Sequence, residues 1–356
     1  MEKNTNSKLL IIAFIIISAI LLVGTIILGY LYFNEKESNK KLTLAVNTIP
    51  ERIPVKPFDL VENSTLFAPS SEKKLLIEFG GMGEVWLPLL HDVPLSNYNY
   101  DNLRTKNGFK YYFEDSKIKS LVGIDISYHQ KNINWAAVKN AGVEFAMIRV
   151  GYRGYGDGSL QYDQDYRKNI EGALNNGIKV GVYFFSQALN AEEGLAEANF
   201  ILDAISEYDI TFPVVFDWEP GGGDSPRSQD ATVDGLTDAA VAFCEQVKNN
   251  NYIPMIYQSR NYSYLKYDLS RLKDYEYWIA DLNDTCSYKY QFKMWQYDTA
   301  GTVPGIEGRV DLNICFTDYS GEMTEARTVS ENFFDTVTKP VTSSAKPPDD
   351  ELDIVD

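Results

Sequence analysis

The sequence predicts an α/β protein whose main part is an irregular, TIM-like barrel of five βα units followed by three further strands. From Val122 onward, apolar strand-like runs alternate with amphipathic stretches of helical period. The runs are almost continuously apolar, which is typical of parallel strands covered by helices. About 195 residues is short for eight complete βα units. Helical patterns fill only the first five gaps, so we expect the parallel order to give way to hairpins at the last three strands.

The elements can be assigned in chain order. The helical patterns include residues 134–141, 166–176 (ending at Gly177) and 191–205. The strand candidates are residues 122–127, 145–150, 179–186, 213–219, 253–259, 276–282, 292–297 and 310–316.

An uncharged apolar run, Leu9 to Phe33, precedes this region. As a helix it would span about 37 Å, against about 30 Å for the hydrocarbon core of a bilayer. The polar residues 34–37 follow it, where a cleaved signal peptide would have small residues. We therefore expect one uncleaved transmembrane helix. Lysines lie on both sides of the run, so they do not determine its orientation.

The remaining segments are less regular. Residues 34–121 hold scattered prolines and short apolar runs, including the strand-like 109–114, which indicates a stalk and a small β-rich segment. Residues 321–356 are proline-rich, Ser/Thr-rich and acidic, which is typical of disorder. The expected organisation is a short N-terminus (1–8), an anchor (9–33), the stalk segment (34–121), the barrel (122–320) and the tail (321–356).

Composition excludes several function classes. The formal charge of -17 argues against nucleic-acid binding, which needs clustered Lys and Arg. With two histidines and three cysteines, none in a metal-ligand spacing, we expect no metal and no cofactor. The cysteines could form one disulfide, but Cys244 and Cys315 lie in patterns where single buried thiols are common.

The stretch V-V-F-D-W-E-P, residues 214–220, places two acids two positions apart at the end of an apolar run. Side chains alternate along a strand, so Asp217 and Glu219 should point the same way, with Cα atoms about 6.6 Å apart. Trp218 should point to the other face. The competing interpretation is the polar face of a half-exposed strand.

Other strand ends also carry acids and aromatics. In such barrels the chemistry lies at the C-terminal ends of the strands. Acids gathered in one concavity repel, so at least one should keep its proton near neutral pH, as glycosidic-bond hydrolysis requires. Asp281 as a loop cap and Tyr257 as a core residue remain open alternatives. The candidate site residues are Asp125, Tyr183, Asp217, Glu219, Tyr257, Asp281, Trp295, Gln296 and Asp311, the last near the start of a strand that would run antiparallel.

Residues 122–316 resemble the glycoside hydrolase family 25 lysozymes, the N-acetylmuramidases of the bacterial cell wall. The resemblance implies that Glu219 is the catalytic acid and Asp217 its partner carboxylate. It also implies that Asp125 and Asp311 complete the acidic floor and that Tyr183 lines the sugar site. One departure is Phe184, where histidine is common in the family. The motifs are G-I-D-I-S-Y-H-Q (123–130), F-A-M-I-R-V-G, G-I-K-V-G-V-Y-F-F (177–185), P-V-V-F-D-W-E, P-M-I-Y (254–257), W-I-A-D-L (278–282), W-Q-Y-D (295–298) and G-I-E-G-R-V-D-L-N (305–313).

The resemblance implies a five-helix, eight-strand barrel that cleaves the β-1,4 bond between N-acetylmuramic acid and N-acetylglucosamine in peptidoglycan. A wall hydrolase works outside the cell, so the short N-terminus would be cytoplasmic and the barrel extracellular on a single-pass protein of the bacterial membrane. The expected partners are glycan strands and, through residues 9–33, the membrane; no protein partner is indicated.

Two alternatives stay open: an inactive wall-binding barrel, and a hydrolase of another N-acetylated glycan. A chitinase-like enzyme would need a D-x-x-D-x-D-x-E run, but Val214, Val215 and Phe216 precede Asp217. The scarcity of histidine argues against a metal-dependent deacetylase.

Overall fold

The computed structural model describes residues 74–79, 83–222 and 226–320, and the backbone of two short strands beyond them. These residues belong to one compact unit, Leu66–Asp356. The anchor expected at 9–33 and nearly all of the acidic tail lie outside the described residues. Within the described ranges, no helix is both long and apolar enough to cross a bilayer.

The strands fall into three groups along the chain. Five precede the barrel: β1 (Lys74–Phe79), β2 (Gly83–Pro88), β3 (Leu103–Lys106), β4 (Phe109–Glu114) and β5 (Lys117–Ile118). Nine form the barrel sheet: β6 (Leu121–Ile126), β7 (Phe145–Arg153), β8 (Leu160–Tyr162), β9 (Lys179–Ser186), β10 (Val214–Trp218), β11 (Pro254–Ser259), β12 (Glu276–Ala280), β13 (Met294–Gly301) and β14 (Val310–Cys315). The short β15 (Arg327–Thr328) pairs with β5, and β16 (Ile354–Val355) pairs with β1.

The barrel is closed and has eight strands, because β6 pairs with both β7 and β14; β8 is a hairpin extension of β7. Seven barrel strands run parallel, and β14 is antiparallel to both neighbours. The expected hairpins are therefore confirmed at β13–β14 and wrong at β12–β13, which pair in parallel. The connection 281–293 is long enough for a parallel crossover without a helix.

Helices cover the first five connections of the barrel, as expected. Asn134, Asn190 and Thr232 cap three of them, each side chain accepting a hydrogen bond from a backbone N–H three residues later. The α-helices are α1 (Trp135–Asn140), α2 (Tyr166–Asn175), α3 (Ala191–Ile205), α4 (Val233–Asn249), α5 (Arg260–Lys266) and α6 (Leu269–Leu272). Single 3-10 turns occur at Tyr100–Asn102, Tyr128–Gln130 and Arg227–Asp230.

The core has two layers, which the alternation along each strand separates. Phe145, Met147, Val215, Met255 and Met294 belong to the cluster that fills the barrel interior. A larger cluster lies between the barrel and the elements that cover it. Because the lower part of the barrel is packed with side chains, only its rim at the C-terminal strand ends can form a cavity.

The segment before the barrel packs on the side that lacks a helix. Tyr98 stacks on Phe316, with ring centroids 4.1 Å apart. Backbone hydrogen bonds join Ser96 N–H to the carbonyl of Lys289 (2.9 Å) and Gln291 N–H to the carbonyl of Pro94 (2.8 Å). The segment therefore covers the β12–β13 connection, where a regular barrel would have its next helix.

Candidate active site

An open cavity of about 310 Å³ lies at the C-terminal ends of the barrel strands. Seven of the nine residues predicted from the sequence line it. They are Asp125, Tyr183, Asp217, Glu219, Tyr257, Gln296 and Asp311.

Asp217 and Glu219 reach the cavity from the end of β10. Trp218, between them, belongs to the outer layer, so the two acids share the inner face as predicted. Asp217 is only 3% exposed, and its Oδ1 has no hydrogen-bond partner among the described residues. The amide of Gln187 donates to the backbone carbonyl of Glu219 at 2.5 Å. This bond holds the position from which the Glu219 side chain projects.

Asp125 and Asp311 form a second pair of acids. They lie directly opposite each other in the β6–β14 register, and their side chains share a hydrogen bond. Oδ2 of Asp125 also accepts hydrogen bonds from Asn313 Nδ2 (2.7 Å) and Gln296 Nε2 (2.9 Å). Two carboxyls can share a hydrogen bond only if one is protonated.

The surroundings place this shared proton on Asp311. Burial, the charge of Asp125 and the hydrogen bond from the shared proton raise the pKa of Asp311 to about 8. Burial also raises the pKa of Asp125, but its three hydrogen bonds oppose that rise. The hydrogen bonds that Asp125 accepts therefore favour the ionised form of Asp125 and the protonated form of Asp311.

Burial likewise raises the pKa of Asp217 and of Glu219. The charges of Glu219 and Asp125 add to the rise for Asp217, and Arg149 opposes it. For Glu219 the charge of Asp311 adds to the rise. The four acids therefore cannot all ionise at neutral pH, which fits the sequence-based expectation that at least one holds a proton.

Arg149 was not identified from the sequence, although it is the one charged residue in the apolar run F-A-M-I-R-V. It lines the cavity, and its guanidinium contacts Asp163 Oδ2 through Nε and a terminal nitrogen, both at 2.9 Å. It also lies 5.2 Å from the centroid of the Tyr128 ring. Asp163 thus fixes this cation beside the acids.

Asn313 was also missed, although it stands two positions after Asp311 and therefore on the same face of β14. It is fully buried and accepts a hydrogen bond from Trp278 Nε1 at 2.8 Å. Tyr257 makes a similar bond, from its hydroxyl to Gln296 Oε1 at 2.9 Å. Both aromatic side chains thus contact the amides that bind Asp125.

Two predicted site residues do not reach the cavity. Asp281 caps the loop after β12, accepting hydrogen bonds from the backbone and hydroxyl of Ser287, each at 2.7 Å, and one from Asn283. These contacts correspond to the loop-cap alternative for Asp281. Trp295 packs in the outer layer and donates to the carbonyl of Asp281 at 2.7 Å. Adjacent residues of a strand face opposite sides, so Trp295 points away where Gln296 points in.

A second cavity of about 600 Å³ adjoins the first, and the two share His129, Arg149 and Phe185. Its walls are rich in aromatic side chains, which suit the apolar faces of sugar rings. Its tyrosines are Tyr128, Tyr152, Tyr155 and Tyr162.

The described residues contain no cluster of three or more His, Cys, Asp and Glu arranged to hold a metal ion. Cys244, Cys286 and Cys315 are buried and free, so no disulfide joins them.

A parallel barrel with clustered carboxyls at its strand ends and aromatic walls around them is the equipment of a glycoside hydrolase. Residues 124–306, just over half of the chain, match the family described as Glycosyl hydrolases family 25. The chain belongs to this family.

Individual relatives share parts of the chain. It is 28% identical to an autolytic lysozyme of Clostridium acetobutylicum over 54% of each chain. It is 36% identical to Lysozyme M1 of Streptomyces globisporus over 27% of this chain and 32% of the relative. The chain thus covers about half, or less, of these relatives. The solved family 25 glycosyl hydrolase of Bacillus anthracis is 21% identical, with a TM-score of 0.47 over 58% of this chain and 93% of that one.

Proposed function

We propose that this protein is a peptidoglycan hydrolase that cleaves the β-1,4 bond between N-acetylmuramic acid and N-acetylglucosamine. The observation that carries the proposal is the unpartnered Oδ1 of buried Asp217, beside Glu219 in an open cavity. A buried carboxylate oxygen without a partner is costly unless a ligand supplies the hydrogen bond. The N–H of a sugar acetamido group can supply it. The curated relatives named as lysozymes support the same substrate class.

Asp217 and Glu219 would divide the chemistry between them. Glycosidases that place one carboxyl on each side of the scissile bond hold the two carboxyls about 5 to 5.5 Å apart for direct attack. They hold them about 6.5 to 9.5 Å apart when a water molecule lies between them. Neighbours on one face of one strand do not readily reach both sides of a sugar ring. We therefore assign Asp217 to the substrate's own acetamido group, from which it accepts the N–H hydrogen bond.

In this mechanism the acetamido oxygen attacks the anomeric carbon while Glu219 donates its proton to the departing glycosidic oxygen. The C–O bond to the leaving sugar breaks and a cyclic oxazolinium forms. Glu219, now ionised, takes a proton from a water molecule as the water oxygen attacks the anomeric carbon. This attack opens the oxazolinium ring and regenerates the acetamido group. The raised pKa of Glu219 supports its first role, because a general acid must hold its proton at the working pH. Two displacements give net retention of configuration.

The other residues would bind the sugar or supply charge near the reacting bond. Asp125 and Asp311 supply the acidic floor below the reacting bond, and Tyr183 lines the sugar site. The aromatic second cavity is suited to neighbouring sugars of the same strand, which supports a polymeric substrate.

An inactive wall-binding barrel is the less favoured alternative, since all four acids are present and lie at one rim. A hydrolase of another N-acetylated glycan is the other alternative. Digestion of purified peptidoglycan with the full chain, followed by mass spectrometry of the new reducing ends, separates the three. We expect N-acetylmuramic acid at those ends. New N-acetylglucosamine ends would reject the proposed bond, and no release of fragments would favour a binding protein.

The acetamido role has its own test. Nuclear magnetic resonance of the first product should show the β anomer, and N-deacetylated glycan should resist cleavage. An initial α anomer, or undiminished cleavage of deacetylated glycan, would reject the role of Asp217.

We also infer that residues 9–33 anchor the protein in a bacterial membrane with the barrel on the wall side. The uncharged run supports this, because it is long enough to span a bilayer. Protease added to intact cells should then digest the barrel. Digestion only after lysis would place the barrel on the wrong side for a wall substrate.

A further inference from the structure

We propose that Tyr257 and Trp278 are positioning residues, whose hydrogen-bond donors orient two amide side chains so that ionised Asp125 is favoured over ionised Asp311. Neither aromatic residue needs to touch the reacting atoms for this role. The consequence for catalysis rests on the proposed function, but the positioning itself does not.

The bond from Trp278 sets the direction of the first amide. An indole nitrogen can only donate, so Asn313 must present its Oδ1 to Trp278 Nε1, at 2.8 Å. The amide nitrogen of Asn313 is then forced toward Asp125 Oδ2, at 2.7 Å. If the indole donor were absent, the amide could rotate and present its oxygen to the carboxylate.

Tyr257 contacts the second amide, and because a hydroxyl can donate or accept, it supports one orientation of that amide without enforcing it. Its hydroxyl donates to Gln296 Oε1 at 2.9 Å, which turns Gln296 Nε2 toward Asp125 Oδ2 at 2.9 Å. The same nitrogen lies 3.5 Å from Asp311 Oδ2, at the limit of a hydrogen bond. All of these side chains except Asp311 are buried, so water has little room to replace a lost donor.

The two chains of bonds make the acid pair unsymmetrical. Asp125 receives two amide donors at short distance, and Asp311 receives one at long distance. Donors stabilise a carboxylate and not a carboxylic acid, so the shared proton remains on Asp311. The charges of Asp125 and Glu219 repel each other, so an ionised Asp125 disfavours ionisation of Glu219. The ionisable groups that face this pair from the surrounding strands are Arg149, Tyr183, Asp217, Glu219, Tyr257, Asp298 and, after β6, His129.

The test compares two pairs of substitutions. Tyr257→Phe and Trp278→Phe each remove one of the donors inside the barrel. Tyr277→Phe and Trp295→Phe are matched controls, because each removes a buried aromatic donor on the outer face of the barrel. Tyr277 donates to the carbonyl of Leu272 at 3.0 Å, and Trp295 to the carbonyl of Asp281 at 2.7 Å.

The readout is the pH titration of ¹³C-labelled aspartate carboxyls in the full chain. Signals are assigned with Asp125→Asn and Asp311→Asn. Loss of a donor to ionised Asp125 should raise the first pKa of the pair by about one unit in each test variant. The controls should stay within about 0.3 units of the unsubstituted chain. If Trp278→Phe lowers the unfolding midpoint more than Trp295→Phe does, the tyrosine pair decides the question.

Equal shifts in test and control variants, or no shift in either, would overturn the positioning role. The titration needs no substrate, so it decides this inference even if the chain releases nothing from peptidoglycan. If it does release fragments, the basic limb of its pH–rate profile, which reports the proton on Glu219, should move in the test variants and not in the controls. A basic limb that stays in place while the titration moves would remove the link to catalysis.

Discussion

Asp217 is held in a state that the folded protein alone does not stabilise. A buried carboxyl with an unpartnered oxygen costs on the order of 1 to 3 kcal/mol. Burial and the neighbouring acids raise its pKa further, and Arg149 opposes them. Such a residue is better explained by a ligand that completes its hydrogen bonds than by a contribution to stability.

The role of Glu219 gives a prediction at the same scale. Glu219→Gln keeps the size of the side chain but removes the transferable proton, so turnover on peptidoglycan should fall by at least about 100-fold. Asp125→Asn should cost less, because Asp125 does not transfer the proton. Steady-state rates and thermal unfolding midpoints would be measured together. Near-normal turnover of a stably folded Glu219→Gln protein would show that another residue is the acid.

The alternation of side chains along a strand explains which site residues could be predicted from the sequence and which could not. Alternation along β10 predicted that Asp217 and Glu219 share a face with Trp218 opposite. By the same alternation, adjacent residues on β13 face opposite sides, so Trp295 points away from the cavity when Gln296 points into it. The sequence-based assignment of both residues to the site did not apply this alternation. Arg149 and Asn313 were not predicted because their partners, Asp163 and Trp278, come from other parts of the chain. Such contacts depend on tertiary structure, which a local pattern does not report.

At the scale of elements, the strand positions were predictable and one strand direction was not. Near-continuous apolar runs mark the barrel strands, since these strands are buried on both faces. The absence of a helical pattern between β12 and β13 was taken as a sign of a hairpin. The connection 281–293 instead crosses over as a loop covered by the preceding β-rich segment. The sequence of the connection does not reveal that another segment covers it.

The contact between α3 and α4 supplies a prediction for these elements. A Cβ added to Gly194 on α3 would lie 2.2 Å from the backbone carbonyl oxygen of Ala239 on α4. Alanine favours an isolated helix over glycine by about 1 kcal/mol, but a backbone oxygen cannot move aside without separating the helices. Gly194→Ala should therefore lower the free energy of unfolding by about 1 to 3 kcal/mol. Gly156→Ala, with no atom within 4 Å of its added Cβ, is the control.

Chemical denaturation measures both variants. An unchanged or higher stability for Gly194→Ala would mean that the two helices can separate at little cost.

For the whole molecule, the acid cluster makes stability depend on pH. The pKa of Asp311 rises from 3.8 to about 8 on folding, so the folded state binds the extra proton between these values. The stabilisation is complete below about pH 4 and is lost as pH rises toward 8, with a slope of up to about 1.4 kcal/mol per pH unit for one proton. Asp311→Asn resembles the protonated form and should remove this part of the slope.

Unfolding free energies of both proteins at pH 4.5, 6 and 8 test this expectation. Subtracting the unfolding free energies of the two proteins at each pH removes the pH dependence that the rest of the negatively charged surface causes in both. Parallel stability curves would show that Asp311 keeps an ordinary pKa.

The β-rich segment predicts where the folding unit begins. A chain that starts at Val122 would expose the barrel face that Tyr98 and neighbouring residues cover, including Phe316. We expect it to aggregate or to bind a hydrophobic dye, whereas a chain that starts at Lys74 should be monomeric and cooperative in unfolding. Size-exclusion chromatography and thermal unfolding distinguish them. If the two chains elute and unfold alike, the β-rich segment is not needed for folding of the barrel.

The alternation along β10 also limits how this site could change during evolution. Inserting or deleting one residue within 214–218 would turn Trp218 inward and both acids outward in a single step. Without a compensating β-bulge, the strand pairing offers no intermediate arrangement in which the acids are slightly displaced. Changes in length are therefore better tolerated beyond the strand, in the loop that follows Glu219, where they could reshape the rim for different glycans while the acids stay in place.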